Sequence, residues 1–424
     1  MKTLIRENNI VKVSRKLRKP VVGWPALEKD SFLASGNKES AWKKYCGFLE
    51  LSIDEFMSIQ RLLLMEQMEL VAGSKLGALI LGDRKPGSME DFRSSIPLTV
   101  YRDYQPYLGE KDEKVLAGKP VAWVHSSGRT GPVKWVPFFI ATLNGLADDA
   151  ITAFILSSAS REGEVLLQRG SRILLNLPVT RLTDIIGRAL HQRIAYQVIP
   201  SLEQGEQMSV KERMEKGLRM ALGTGLDYAG SVPAILARAG DNPGRNRFFP
   251  GWRPMAFYRC LAAAIKSKLM KRPILLKDIW KAKGLISTGD SVAPYRDLIY
   301  QRWGIQPLDM YTSTETCSIA VQGWNKRGMT LIPSRHFYEF IPEKELVKSR
   351  DNPNYQPSTL LLNELEAGKV YELVVTNFHG GPFLRYRIGD LIKVVSLADE
   401  ETGVNLPQIT FFNRTNGVAG SAAV

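Results

Sequence analysis

Three short segments, far apart in the chain, constrain what it can fold into more than any other feature. They are Ser126-Ser127-Gly128-Arg129-Thr130-Gly131-Pro132-Val133-Lys134, Tyr311-Thr312-Ser313-Thr314-Glu315 and Tyr386-Arg387-Ile388-Gly389-Asp390. In that order they supply a loop that wraps phosphate, a hydroxyl–carboxylate pair suited to a phosphate and its Mg²⁺, and a lone carboxylate suited to a ribose diol. In the first, Gly128 and Gly131 permit tight turns, so backbone N–H groups and the hydroxyls of Ser126, Ser127 and Thr130 can surround phosphate oxygens. Lys134 adds a point charge for the β/γ end. In the second, Thr314 can donate to a phosphate, Glu315 can hold Mg²⁺ through oxygen, and Tyr311 offers a flat face for adenine. In the third, Gly389 lets the chain bend at a strand end, so that Asp390 can accept from both ribose hydroxyls in two charge-assisted bonds. Each segment alone has an ordinary reading: a surface loop, a helix start, a turn aspartate. Together they describe an ATP site, and the fold must bring them to one place.

The spacing of the first segment is not that of the GxxxxGK[ST] phosphate loop, which argues against a P-loop NTPase. Gly223-Thr224-Gly225 lacks a third glycine and a clear preceding strand, so it is not read as a nucleotide fingerprint. The four histidines, at 125, 191, 336 and 379, are scattered and suggest no metal cluster. His125 reads as a strand-end histidine satisfied by backbone, and Cys317 as a small buried hydrophobe. Three widely spaced cysteines give neither a disulfide framework nor a zinc knuckle. The net charge of +14 attracts anionic partners or simply keeps the surface soluble. No recognition-helix, zinc-finger or aromatic–basic pattern supports specific nucleic-acid binding.

At 424 residues, 44% apolar and 24% charged, the chain is that of a globular protein with two or three domains or subdomains. The apolar stretch near Trp135 to Ala147 is interrupted by Pro137, Asn144 and Gly145 and closed by Asp148 and Asp149, so no membrane span is read. Met1 to Pro20 is basic and has no signal-peptide core, making a cytoplasmic location the expectation.

Residues 1–50 read as an irregular basic lead-in and 51–330 as an α/β core. A helix begins at Ser52, where Ser52-Ile53-Asp54-Glu55 has capping-box spacing, and Phe56, Ile59, Leu62, Leu63, Leu70 and Val71 form its expected buried stripe. Pro120 to Val124 reads as a buried strand leading into the first segment. Leu285 to Thr288 is a strand ending in Gly289, which joins the nucleotide-binding candidates because open α/β sheets bind ligands at strand carboxyl ends. Ser291 then caps a helix that Gly304 ends, and Ile305 to Tyr311 delivers the second segment. From 331 to 410 the texture is β-rich, with strands Val370 to Thr376 and Leu391 to Val395 flanking the third segment.

The three segments in this order resemble the adenylate-forming superfamily. Ile96-Pro97-Leu98-Thr99-Val100-Tyr101, Phe337-Tyr338-Glu339-Phe340-Ile341-Pro342 and Tyr371 to Thr376 leading to Leu384-Arg385-Tyr386-Arg387 resemble one branch of it, the auxin-responsive Gretchen-Hagen-type acyl-acid amido synthetases. The resemblance covers about residues 55–415 and implies the large N-terminal α/β domain of those enzymes. It implies that Ser126 to Lys134 binds the β/γ-phosphates, Thr314 the α-phosphate, Glu315 the Mg²⁺ and Asp390 the ribose, with Arg414 near a hinge. It further implies a two-step reaction. A carboxylate attacks the α-phosphorus of ATP and pyrophosphate leaves; an amine, an amino acid in this branch, then takes the acyl group.

Two positions depart from the pattern: Arg129 stands where Ser or Thr is usual, and Asn413 replaces the glycine before Arg414. Residues 411–424 read as a hinge and the start of an absent small C-terminal domain that carries the family's lysine. This predicts ATP binding with slow adenylation, since one lost charge-stabilising donor typically costs on the order of 10²–10³ in rate. Two alternatives stay open: transfer to coenzyme A, as in phenylacetate-type ligases, and a catalytically dead nucleotide- or acyl-binding protein.

Overall fold

The computed structural model describes residue 27 and residues 29–126, 133–176, 181–205, 208–239, 254–289, 291–352 and 354–414. Thirteen strands are found there: β1 Ala122–His125, β2 Trp135–Phe138, β3 Arg172–Asn176, β4 Gln197–Val198, β5 Tyr228–Ser231, β6 Gly284–Thr288, β7 Leu308–Ser313, β8 Cys317–Gln322, β9 Met329–Leu331, β10 His336–Pro342, β11 Val370–Asn377, β12 Tyr386–Ser396 and β13 Gln408–Arg414. The helices that matter below are α1 Ile53–Ala72, α2 Tyr101–Leu108, α3 Ile140–Ser158, α4 Val210–Thr224, α5 Pro233–Arg238, α6 Pro254–Leu269 and α7 Arg296–Trp303.

β1 and β2 form a two-stranded antiparallel pair, and the other eleven strands make one sheet in the order β10-β11-β12-β13-β9-β8-β7-β6-β5-β3-β4. Its β4-β3-β5-β6-β7 half is parallel, and the rest is antiparallel. The expected boundary at 330 falls inside β9, which pairs with both β8 and β13. The α/β and β-rich portions thus share one sheet, and one buried apolar cluster runs from Phe56 through Ile155 and Ile319 to Ile409. The parallel strands are sandwiched. Leu174, Ala229 and Leu285 pack on α4, α5 and α7. On the other face Phe154 of α3 meets Tyr228 edge-on at 5.2 Å.

α3 is the one described helix long and apolar enough to cross a membrane, and most of its length is buried. Asp149 in its middle binds Arg335 at 2.8 Å, which is how a core helix keeps a carboxylate.

Several expectations need correction. The lead-in is not irregular throughout: helices Ser31–Ser35 and Lys38–Cys46 form within it, capped by Asp30 and Asn37, and bury Trp42, Tyr45 and Cys46. α1 starts at the Ser52–Glu55 capping box as expected, but its buried face is Phe56, Met57, Gln60, Leu64, Gln67, Met68 and Val71. Leu62 and Leu70 are more than half exposed. Two buried glutamines shift the stripe. Gln60 donates to the carbonyls of Pro333 and His336 and accepts from the Tyr338 N–H, while Gln67 bonds Gly380 and Gly381. Both expected strands are present, as β11 and the second half of β12, but the third segment is itself strand and forms the first half of β12. Finally, 411–414 do not begin a separate unit, because β13 runs through them and is paired with β12; residues 415–424 lie outside those described.

Candidate functional site

The second segment becomes the tip of a hairpin. β7 and β8 pair Ser313 with Cys317, leaving Thr314, Glu315 and Thr316 as the connection. Cys317 closes it in the left-handed region, φ 59°, where a glycine would normally stand. Ser313 and Thr316 hydroxyls bond each other at 2.7 Å and stiffen the turn. His336 on β10 pins it from behind. Its Nε2 is 2.7 Å from the Thr316 carbonyl and so donates to it, leaving Nδ1 to accept from the Asn377 amide at 3.2 Å. Burial pushes the imidazole pKa down to about 3, so the ring is neutral.

The first segment leaves β1 and returns to β2 through a closed neck. The Ser126 N–H donates to the Lys134 carbonyl at 3.0 Å, and the Lys134 N–H donates to Ser126 Oγ at 3.1 Å. Ser127, Gly128, Arg129, Thr130 and Gly131 lie outside the described residues. From the neck, Lys134 Nζ reaches Glu315 Oε1 at 2.8 Å and the Tyr386 hydroxyl at 3.1 Å. Tyr101 at the start of α2 accepts from the Trp135 N–H at 2.6 Å and sets its ring 5.7 Å from Lys134 Nζ. His125 ends β1 bonded to the Ser126 carbonyl, as expected.

Asp390 lies within β12, opposite Arg414 on β13. It is fully buried and doubly held: Tyr311 donates its hydroxyl to Oδ2 at 2.8 Å, and Arg414 donates Nε to Oδ1 at 2.6 Å. Gly389 before it has φ 82°, the bend the sequence implied. The bond to Asp390 raises the Arg414 pKa further, with Tyr311 and Glu315 adding to it. Burial, then the Asp390 charge, pushes the Tyr311 phenol up. Tyr311 is therefore not an open platform for adenine: it is 7% exposed, with its ring edge-on to Phe411 and its hydroxyl committed to Asp390.

Lys134, Glu315, Tyr386, Tyr311, Asp390 and Arg414 thus form one polar constellation at the carboxyl end of β7. Thr314 is half-buried at the hairpin tip beside it. Gly289 ends β6 in the left-handed region with φ 93°, which a side chain would strain. Thr288 and Thr312 join the ends of β6 and β7 by a 2.7 Å hydroxyl contact. One row further back, Asn176, Ser231, Ser287 and Asp309 stand in register across β3, β5, β6 and β7. Among the described residues the Asn176 amide and Ser287 hydroxyl are buried without hydrogen-bond partners, and burial lifts the Asp309 carboxyl to about 7.

Sequence reasoning gave no role to Tyr386, Tyr101 or His336. Tyr386 stood in plain view in the third segment. Tyr101 belongs to the Ile96–Tyr101 stretch, which is stitched to that segment: the Thr99 N–H donates to the Arg385 carbonyl and the Arg387 N–H donates to the Thr99 carbonyl, both at 2.9 Å. Nothing local to His336 signals what it touches.

In chemical terms the site sets two carboxylates, each capped by a cation, beside two phenols. A triphosphate can take Lys134 from Glu315, which leaves that carboxylate free for a divalent ion. Among the described residues no group of three or more acidic, histidine or cysteine side chains could hold a metal alone. Mg²⁺ fits this donor set, because it favours one or two carboxylates together with substrate phosphates.

Comparisons with known proteins agree with this architecture. Residues 46–167 match the GH3 family N-terminal domain and residues 329–414 the GH3 family central domain. A jasmonoyl-L-amino acid synthetase of Oryza sativa subsp. japonica is 24% identical over 373 residues, which cover 72% of this chain and 62% of that protein. An indole-3-acetic acid-amido synthetase of Arabidopsis thaliana is 29% identical over 155 residues, 34% of this chain and 23% of its own length. The matched regions therefore span less than two thirds of either relative. Among solved structures, an acyl acid amido synthetase bound to 2,4-DB superposes with a TM-score of 0.62 at 17% identity, covering 92% of this chain and 72% of that one. A 2-hydroxyisobutyryl-CoA ligase gives 0.57 at 12% identity, covering 94% and 76%. Both share the fold.

Proposed function

Because the chain belongs to the GH3 branch of the adenylate-forming enzymes, we propose that it activates a carboxylic acid with ATP and passes the acyl group to an amine, an amino acid by analogy with its relatives. The observation that carries this reading is the meeting of Lys134, Glu315 and Tyr386 beside Asp390, Tyr311 and Arg414.

In the first step a carboxylate oxygen attacks the α-phosphorus and the bond to the pyrophosphate oxygen breaks. Lys134 exchanges Glu315 for the β/γ-phosphates and neutralises the charge that leaves with pyrophosphate. The Ser126–Gly131 loop wraps those phosphates, and Thr314 donates to the α-phosphate. Glu315 would hold Mg²⁺, which supplies charge neutralisation between the phosphates. Asp390 binds the ribose diol while Tyr311 and Arg414 hold its carboxylate in place. In the second step the amine nitrogen attacks the acyl carbonyl, AMP leaves, and a proton is lost from nitrogen. Holding the reactants in line is most of the protein's work here.

The test is pyrophosphate release across aryl, indolyl and fatty acids, with and without amino acids or coenzyme A. Amine-dependent AMP release is the expected result. Coenzyme-A-dependent release would move the acceptor to a thiol, and calorimetry showing no ATP binding would remove the proposal.

A further inference from the structure

Helix α6 is built inside out for a core element. Its inner face carries small residues, with Ala256 and Ala263 buried and Cys260 half-buried against α4 and the segment that follows. Its outer face carries the large ones: Phe257, Tyr258, Leu261, Ile265 and Leu269 are between 45% and 78% exposed. Their spacing puts them on one side of the helix, and Met255 and Met270 extend the patch at both ends. A contiguous run of seven large apolar side chains in solvent is far from the scattered exposure normal for a surface, and marks something that is covered in use.

The charge around the patch says what covers it. Residues 254–277 contain Arg259, Lys266, Lys268, Lys271, Arg272 and Lys277 and no Asp or Glu. Arg259 turns inward to the Leu222 carbonyl, and Arg272 and Lys266 hold Asp278. Lys268 and Lys271 are exposed and make no ion pair among the described residues. A second copy of the chain would bring like charges face to face, and a basic segment of this +14 chain would do the same. The occupant must be apolar and negatively charged. We propose that α6 is an interfacial helix that docks the protein on an anionic lipid surface. Its 16 residues, about 24 Å long, lie in the surface plane with the outer side chains in the headgroup–acyl boundary. Lys268 and Lys271 meet the headgroups.

Co-sedimentation of the full chain with vesicles tests this. Binding to phosphatidylcholine vesicles containing phosphatidylserine is expected, with little binding to phosphatidylcholine alone and a fall as salt rises. L261E/I265E, which changes only exposed positions, is expected to lose binding by at least about tenfold with its melting temperature unchanged. K268E/K271E is expected to lose on the order of tenfold. Wild type that stays in the supernatant with anionic vesicles overturns the proposal, as do variants that bind like wild type. Two further results overturn it in favour of another occupant: a dimer in sedimentation velocity that L261E/I265E abolishes, and capture of an acidic amphipathic peptide without any vesicle binding.

Discussion

At the residue scale, the separate roles proposed for Glu315 and Asp390 predict separable defects. On the proposed reading Glu315 would sit where charge moves during adenylyl transfer, so Glu315→Gln is expected to lower the turnover of pyrophosphate release on the order of 10²–10³-fold, with a smaller effect on the KM for ATP. In the proposed role Asp390 would make ground-state bonds to the ribose, and each hydrogen bond to a charged group contributes about 1.5–3 kcal/mol. Asp390→Asn is therefore expected to raise the KM for ATP by roughly ten- to a hundredfold; an unchanged KM would refute the ribose role. His336 predicts a pH dependence. Its folded-state pKa is near 3 and its ordinary value 6.5, so the unfolded chain binds more protons between those limits. Stability from this group is complete above about pH 6.5 and is lost as pH falls toward 3, by at most about 1.4 kcal/mol per pH unit. Protonating Nδ1 also breaks the bond from Asn377 and loosens the turn that carries Glu315. In His336→Gln, denaturant midpoints between pH 6.5 and 4 are expected to change less steeply than in wild type.

At the scale of elements, the signals that read correctly were local ones. The Ser52 capping box started α1 where the spacing placed it, and Ser52→Ala is expected to cost about 1 kcal/mol in urea unfolding. Gly304 ended α7 in the left-handed region with φ 78°, although the helix starts at Arg296, after a 3-10 turn Ala293–Tyr295, rather than at Ser291. The stripe of α1 was misread because periodicity counts apolar residues, whereas two of its inward positions are glutamines that serve the backbone of other elements. Replacing Gln60 strands two carbonyls and one N–H in the interior. Gln60→Leu is expected to cost at least about 3 kcal/mol, from about 1–3 kcal/mol per unsatisfied group; a cost near that of Ser52→Ala would show that the strand β10 bonds contribute little. α6 was not singled out in the sequence, and its exposed face could not have been, because sequence alone does not say which side of a helix meets the core.

At the scale of the molecule, the parallel and antiparallel halves are one sheet, and buried ions tie its far parts together. Glu339 on β10 is fully buried against Arg385, whose Nη2 donates to Oε1 at 2.7 Å and Nε to Oε2 at 3.0 Å, while its Nη1 donates to the carbonyls of Arg93 and Ile96. Arg385→Met leaves that buried carboxylate only the Thr359 hydroxyl at 2.6 Å and the more distant Arg93 guanidinium at 3.8 Å, at an expected cost of about 3 kcal/mol in unfolding free energy. Residue type and short-range spacing were enough to nominate Lys134, Thr314, Glu315 and Asp390, and the order of the three segments carried the resemblance to the adenylate-forming enzymes, which in turn nominated Arg414. The tertiary structure alone decided that Lys134 and Arg414 cap the two carboxylates, that Tyr311 is an anchor for Asp390, and that the third segment is a strand. Those outcomes depend on which residues of distant strands stand opposite one another, and pairing register across a sheet is set by the packing of the whole core.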